Sequence, residues 1–272
     1  MNWFPGKAFL LIGLVAVVAL AGSSRSFRDI PLNTWTIVTM DAATGDVGIA
    51  GASCVSMTHI DGIAALAPGK GIAVAQGLWS LENRNRVFQI LKDGADAGDL
   101  VGSARNFRDP NSGQRQYAAV TRRGGKIQIS AFTGEDTQSW SGSRQDSGMA
   151  VSVQGNLLEG EAVVARALEA FRADGPKERN TIPDRLMRAL EAGSAAGGDK
   201  RCNNAEVRQT AASAFILFAR AKEPAYAARD LGVTDMGKEE APSLDLSVIM
   251  PRYGANPVLE LRKEYDAWRK KQ

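Results

Sequence analysis

Apolar residues fall into three patterns along this chain. Ala8 to Ala21 is an almost unbroken apolar run behind a single cation, Lys7; Thr34 to Gln76 alternates in short glycine-punctuated stretches; from Leu157 onward apolar residues recur at helical spacing. In the second region, Trp35 to Met40 and Val47 to Ala52 flank the turn-rich Asp41-Ala-Ala-Thr-Gly-Asp46, which reads as a β-hairpin. A second hairpin joins Ile63 to Ala67 with Ile72 to Gln76 through Pro68-Gly-Lys-Gly71, where proline presets φ and glycine permits positive φ. Four consecutive strands therefore open the domain. Their small residues, Gly48, Ala50, Gly51, Ala52 and Ala73, fit close approach of another layer or of a ligand.

Further along, Ser80 caps a helix to Lys92, with Val87, Phe88 and Leu91 on one face and Gly94 as its stop. A shorter helix runs from Asp96 to about Arg105. Strands follow at Gln116 to Thr121 and Lys126 to Phe132, turned at Arg122-Arg-Gly-Gly125, and again at Met149 to Val153. Helical spacing then spans Leu157 to about Ala173, with Val163, Val164, Ala167, Leu168 and Phe171 in its stripe. A second such run, Pro183 to about Ala192, carries Leu186, Ala189 and Leu190, and Ala211 to Ala219 is again strand-like. After Lys222 the pattern is polar and broken, yet Leu244 to Val248 alternates and Pro257 to Lys270 is helical in period. These define a core over residues 34–222 and a C-terminal extension over 223–272 docked on it. Strands in runs followed by helices in runs predict an α+β fold of segregated layers, not a parallel βαβ sheet.

Composition narrows this further. With 272 residues, 44% of them hydrophobic, the chain can bury one sizeable core. The net charge of +3 is partly accounted for by Lys7 and Arg269-Lys-Lys271, so no broad nucleic-acid face is expected. The leader has the form of a Sec-type signal peptide over residues 1–21, cut after Ala21, and is shorter than the roughly 20 apolar residues a spanning helix needs. The expected location is periplasmic or secreted, with no stable membrane span once the leader is cleaved, and residues 22–33 read as a linker or propeptide. In such an oxidising compartment Cys54 and Cys202, the only cysteines, form either a disulfide or two separate buried thiols.

His59 is the only histidine and lies in a polar loop, which excludes a multi-histidine metal site. No metal is expected, no Gly-x-Ser-x-Gly elbow occurs, and no cofactor signature is present. A nucleophile without a histidine base needs another proton acceptor, and a chain-terminal amine with a pKa of about 7.7–8 is well matched. Thr34, which opens the first strand, would serve if proteolysis exposed it; otherwise Thr34 and Thr36 are β-branched strand residues. Asn156, with Glu159 three residues on, reads as a helix N-cap or as an oxyanion donor. Asp199 and Arg201 form a loop ion pair or orient the charged groups of a ligand. Gln76 and Gln154 donate to substrate or satisfy buried backbone groups, and Trp79 and Trp140 stack on sugar faces or fill core and rim.

Thr34-Trp-Thr-Ile-Val, Thr44-Gly-Asp-Val-Gly-Ile-Ala50, Ser152-Val-Gln-Gly-Asn156 and Gly197-Gly-Asp-Lys-Arg201, in this order, resemble a known family. It is the bacterial and archaeal domain-of-unknown-function family 1028, of the N-terminal-nucleophile hydrolase-like superfamily, and the resemblance covers about Thr34 to Arg269. It implies a four-layer αββα sandwich, and amide hydrolysis by a terminal Thr, Ser or Cys as the superfamily's reaction. Cys202-Asn-Asn-Ala-Glu-Val207 lengthens one link and looks like a Cys-bearing variant of a secreted subgroup. Residues 22–33 still precede Thr34 after the expected cleavage, so a terminal nucleophile requires a second cut. The leading expectation is a secreted hydrolase acting on an amide bond, with Thr34 as nucleophile and Asn156, Asp199 and Arg201 in support. The competing expectation is a non-catalytic envelope protein that binds a small molecule, a peptide or a peptidoglycan fragment.

Overall fold

The computed structural model describes residues 1, 29–106, 109–203, 206, 209–227 and 242–272. Apart from Met1, the expected leader lies outside the described residues, as do residues 22–28 of the expected linker and much of the lengthened link after Cys202.

β2 (Thr34–Met40) and β3 (Val47–Ser53) make the first expected hairpin, in register from Thr34 opposite Ser53 to Met40 opposite Val47. The Asp41 carboxylate closes the turn by accepting from the Ala43 and Thr44 amides at 2.8 and 2.7 Å. β4 (Ala64–Ala67) and β5 (Gly71–Trp79) make the second hairpin. The four strands do not continue one another, because each hairpin belongs to a different sheet.

One six-stranded antiparallel sheet has the order β11 (Tyr226–Ala227), β4, β5, β6 (Arg115–Arg123), β7 (Lys126–Thr133). Its sixth strand, β1 (Ile30–Leu32), pairs with Gly77 to Trp79 of β5, past the end of β4 and on the same edge. The residues just before Thr34, expected as linker or propeptide, are thus ordered as a strand. The second six-stranded sheet, also antiparallel, runs β12 (Leu244–Ile249), β10 (Ser213–Ala219), β3, β2, β9 (Val151–Leu158), β8 (Trp140–Asp146). The region after residue 222 therefore supplies an edge strand of this sheet.

Five helices complete the α+β fold of the described residues. α1 (Leu81–Lys92) and α2 (Ala97–Asn106) contact the first sheet, while α3 (Ala162–Arg172), α4 (Ile182–Ala195) and α5 (Pro257–Arg269) contact the second. Ser80 caps α1 as expected, accepting from the Asn83 amide at 3.4 Å. α4 starts one residue early because Asp184 folds back onto the Thr181 amide at 3.1 Å and so caps the first turn. Gly193 brings α4 against β2, since a Cβ there would lie 2.7 Å from the Trp35 indole nitrogen.

Strand alternation divides the core into three. Trp35, Ile37, Ala50, Ala52, Val151 and Val153 face α3, α4 and α5; Ala73, Ala75, Tyr117 and Ala119 face α1 and α2. The opposite faces of the strands supply the third cluster, with Val38, Met40, Val47, Ile49, Ile72, Val74, Val120, Phe215 and Leu217. Burying a side chain of this kind contributes about 1.5–3 kcal/mol. Trp79 belongs to this core, with its indole donating to the Gly62 carbonyl at 3.2 Å, so it is not a stacking platform. Trp140 is half-buried against the helix-covered core.

Asn156 is not a helix cap. β9 runs through it to Leu158, and α3 begins only at Ala162, after Leu157 takes a left-handed φ of 57° that no helix start accommodates.

Candidate functional site

The inter-sheet face that is aliphatic at one end of β2 becomes polar at the other. Thr34 and Thr36 continue the row of Val38 and Met40; Gln76 continues Ile72 and Val74; Gln116 continues Val120 and Ala118. Ser152, Gln154 and Asn156 line the same face of β9. Thr34, Thr36, Gln76, Gln116, Ser152, Gln154 and Asn156 are all essentially without solvent exposure.

A buried polar group is costly unless it is paired, and most of these are paired with one another. Gln116 is the hub: its Oε1 accepts from Gln76 Nε2 at 2.7 Å and from Asn156 Nδ2 at 2.8 Å. Its Nε2 donates to Thr133 Oγ1 and to the Gly155 carbonyl, both at 2.9 Å. Thr36 donates to Gln76 Oε1 at 2.8 Å and accepts from Gln154 Nε2 at 2.6 Å; Ser152 donates to Gln154 Oε1 at 2.8 Å. The amides of Gln76 and Gln154 are therefore held by protein groups instead of being offered to a substrate. Gln76 Nε2 also reaches the Thr34 carbonyl at 3.4 Å.

Two atoms stand outside this satisfied set. Thr34 Oγ1 and Asn156 Oδ1 are buried with no hydrogen-bond partner. Trp35 pairs with Gly155, so the antiparallel register brings Thr34 and Asn156 to neighbouring positions at the same end of β2 and β9. A buried unmatched hydroxyl costs about 1–3 kcal/mol, and such an atom calls for a reason.

The carbonyl immediately before Thr34 is heavily held. Asn33 O accepts from Ser53 Oγ at 2.7 Å and from the Arg201 guanidinium at 2.9 Å. Arg201 is fixed in turn by a two-pronged pair with fully buried Asp199, at 3.0 and 2.6 Å. The other duties of the Asp199 carboxylate are to accept the Arg201 amide at 3.0 Å and the Cys54 amide at 2.9 Å. Gly197 and Gly198 allow this loop to form, both with positive φ; a Cβ on Gly198 would meet the Thr210 carbonyl at 2.7 Å. Cys54 and Cys202 are joined in a disulfide with Cα atoms 5.4 Å apart, which ties the end of β3 to the Asp199–Arg201 loop.

Just beyond, Asp29 pairs with Arg115 at 3.0 Å and accepts from Asn111 Nδ2 at 2.7 Å, and Arg115 also pairs with Asp109 at 2.7 Å. Burial raises the Asp109 pKa, but hydrogen bonds from Arg115, the Asn111 amide and Asn83 outweigh it and hold the carboxyl below its usual range. Tyr117, which accepts from Asn83 at 3.1 Å, is pushed up to about 12, chiefly by burial. Two surface cavities of about 340 Å³ that share Asp41, Thr181 and Ile182 lie at the opposite end of β2.

The structure thus gathers Thr34, Asn156, Gln76 and Gln154 in one buried seam, with Asp199 and Arg201 reaching its edge through Asn33. Sequence reading missed Gln116, Ser53 and Asn33. Gln116 carried a signal: like Gln76 and Gln154, it is a glutamine set against an otherwise apolar strand.

Comparison with known proteins finds solved structures of similar fold. The crystal structure of protein SPO2555 from Silicibacter pomeroyi, a DUF1028 protein, matches with a TM-score of 0.64 and 24% identity over 86% of this chain and 88% of that one. It shares the fold. No curated protein matches. The model of the family of unknown function DUF1028 matches residues 34–246 and so starts at Thr34 itself. The chain belongs to the DUF1028 family.

Proposed function

We propose that this protein is a secreted hydrolase of the N-terminal-nucleophile type, built as a four-layer αββα sandwich, which cleaves an amide bond with Thr34 once the residues ahead of it are removed. The observation that carries this reading is the Thr34 hydroxyl, buried and unpartnered in a seam whose other side chains are almost all paired. A polar seam between two sheets contributes less to stability than an aliphatic one, and departures from core consistency concentrate at functional sites.

With the Asn33–Thr34 bond cut, the Thr34 amine would have a pKa near 8, suited to taking a proton at neutral pH. The hydroxyl proton passes to that amine as Oγ1 bonds to the substrate carbonyl carbon. The amide C–N bond then breaks and the departing nitrogen takes the proton. Water hydrolyses the resulting ester and restores the hydroxyl. Arg201, held by Asp199, and Ser53 are in place to bind a carbonyl oxygen beside Thr34, because they already bind that of Asn33. Asn156 Nδ2 gives one hydrogen to Gln116, and its second hydrogen would serve the developing oxyanion, a role worth several kcal/mol in such sites. Gln76, Gln116 and Gln154 act as positioning residues. A disulfide at the edge of the site fits a periplasmic or secreted location.

The test is the mass and N-terminal sequence of exported protein, followed by an amide-substrate screen on wild type and Thr34→Ala. A chain starting at Thr34 with turnover lost in the variant supports the proposal. Turnover retained in Thr34→Ala sinks the nucleophile assignment, and a chain that keeps the residues ahead of Thr34 favours a binding module.

A further inference from the structure

We infer that residues 29–33 occupy a peptide-binding groove, and that the ligand this groove takes is an extended peptide added as a strand to the free edge of β5 and ending in a carbonyl at the Thr34 site. This deepens the hydrolase reading and rests on it for the chemistry that follows binding.

The segment has the form of a bound ligand. Ile30, Pro31 and Leu32 pair antiparallel with Trp79, Leu78 and Gly77, which lie beyond the reach of β4. This edge of β5 is covered by three residues only, and strand addition to an open edge is a general mode of peptide capture. Side chains alternate along it. Leu32 is fully buried among the inter-sheet apolar residues, Pro31 faces solvent and Ile30 is half-buried against the same cluster. At the far end the Asp29 carboxylate meets Arg115 and Asn111, and at the near end the Asn33 carbonyl meets Arg201 and Ser53.

The groove therefore specifies its occupant. It selects an acidic side chain four residues before the bound carbonyl, an apolar side chain directly before it, and an extended backbone between. Main-chain pairing with β5 and the alternation of side chains fit an extended polypeptide, so the substrate class is peptide. While residues 29–33 remain attached they hold the groove at the millimolar effective concentration of a tethered segment, and so shut out other peptides.

The experiment uses the full chain carrying Leu32→Asp, which places a carboxylate where the segment is anchored, and the labelled peptide Asp-Ile-Pro-Leu-Asn. Hydrogen exchange at Gly77 to Trp79 should accelerate in the variant and slow again when peptide is added. Fluorescence anisotropy should show the peptide binding the variant at least roughly tenfold more tightly than wild type, whose own segment competes. Replacing Asp by Asn in the peptide should weaken binding by roughly tenfold, and replacing Leu by Asp should abolish it. If Leu32→Asp does not fold, Asp29→Ala, at a partly exposed position, provides the same comparison. An edge that exchanges freely yet binds no peptide overturns the inference, as does binding indifferent to the peptide's Asp and Leu, or an edge unchanged in both variants. None of these readings depends on turnover: peptide binding without hydrolysis would leave the groove and remove the nucleophile, and hydrolysis without peptide binding would do the reverse.

Discussion

Two ends of the same inter-sheet space are built on opposite principles. At the end containing Met40, β2, β3, β5, β6 and β10 contribute Val38, Ile49, Val74, Val120 and Leu217, and shape alone decides the packing. At the end containing Thr34, β2, β3, β5, β6 and β9 contribute Thr36, Ser53, Gln76, Gln116, Gln154 and Asn156, and packing depends on how their polar atoms pair. The strands and the spacing between them are shared, so the fold itself does not demand the polar end. The aliphatic end shows what this architecture uses when stability is the sole requirement, and the polar end marks where something else is required.

The largest expected effect removes what ties the polar end down. Replacing both Cys54 and Cys202 by Ser should cost about 5 kcal/mol in the chain-entropy model for a loop of this length, read as a fall in the chemical-denaturation midpoint. A free-thiol assay on denatured, unreduced wild type should find no reactive cysteine. Next, Gln116→Leu keeps the volume but strands the amides of Gln76 and Asn156, and should cost about 3 kcal/mol. Leu217→Ala at the aliphatic end should cost a similar 2–5 kcal/mol by leaving a cavity. The contrast lies in the cure: a second substitution of Gln76 and Asn156 to apolar residues should recover much of the Gln116→Leu loss, whereas nothing polar rescues Leu217→Ala.

A smaller effect is expected from acid. The Asp109 pKa is depressed in the folded chain, so its contribution is complete above the unfolded value of about 3.9 and is lost as pH falls through the lower folded value. Asp109→Asn should lose roughly 1 kcal/mol at neutral pH and show a shallower stability decline below about pH 4, measured by urea unfolding across pH. The smallest change in stability should come from Thr34→Val, which replaces an unpartnered buried hydroxyl by a methyl. It should stabilise by about 1 kcal/mol, and a clear loss of stability would show that the hydroxyl has a structural partner after all.

Much of this division is legible in the sequence. Both opening hairpins, the Ser80 cap, the Arg122–Gly125 turn and the final helix follow from local spacing and turn chemistry. What local spacing cannot give is which sheet a hairpin joins, since that is settled by burial against distant residues. β8 escaped because Trp-Ser-Gly-Ser-Arg-Gln-Asp has a half-exposed edge-strand pattern without apolar alternation, and β1 because its three residues hold only through β5 and the cluster they pack on. Asn156 misled for a related reason. Its spacing to Glu159 satisfies a capping rule, but the left-handed turn at Leu157 postpones the helix and leaves its amide facing Gln116. Thr34, Asp199 and Arg201 could be named from the sequence; that Arg201 reaches the Asn33 carbonyl could not, because 168 residues separate them.

The Cys54–Cys202 bond spans 148 residues and lands beside the loop that positions Arg201. It makes the arrangement around the Asn33 carbonyl sensitive to the redox poise of its surroundings. In a reducing medium that corner keeps its shape through hydrogen bonds and the Asp199–Arg201 ion pair alone; in an oxidising one it is also covalently set. For this chain, the place where it folds and the completeness of its site become a single variable.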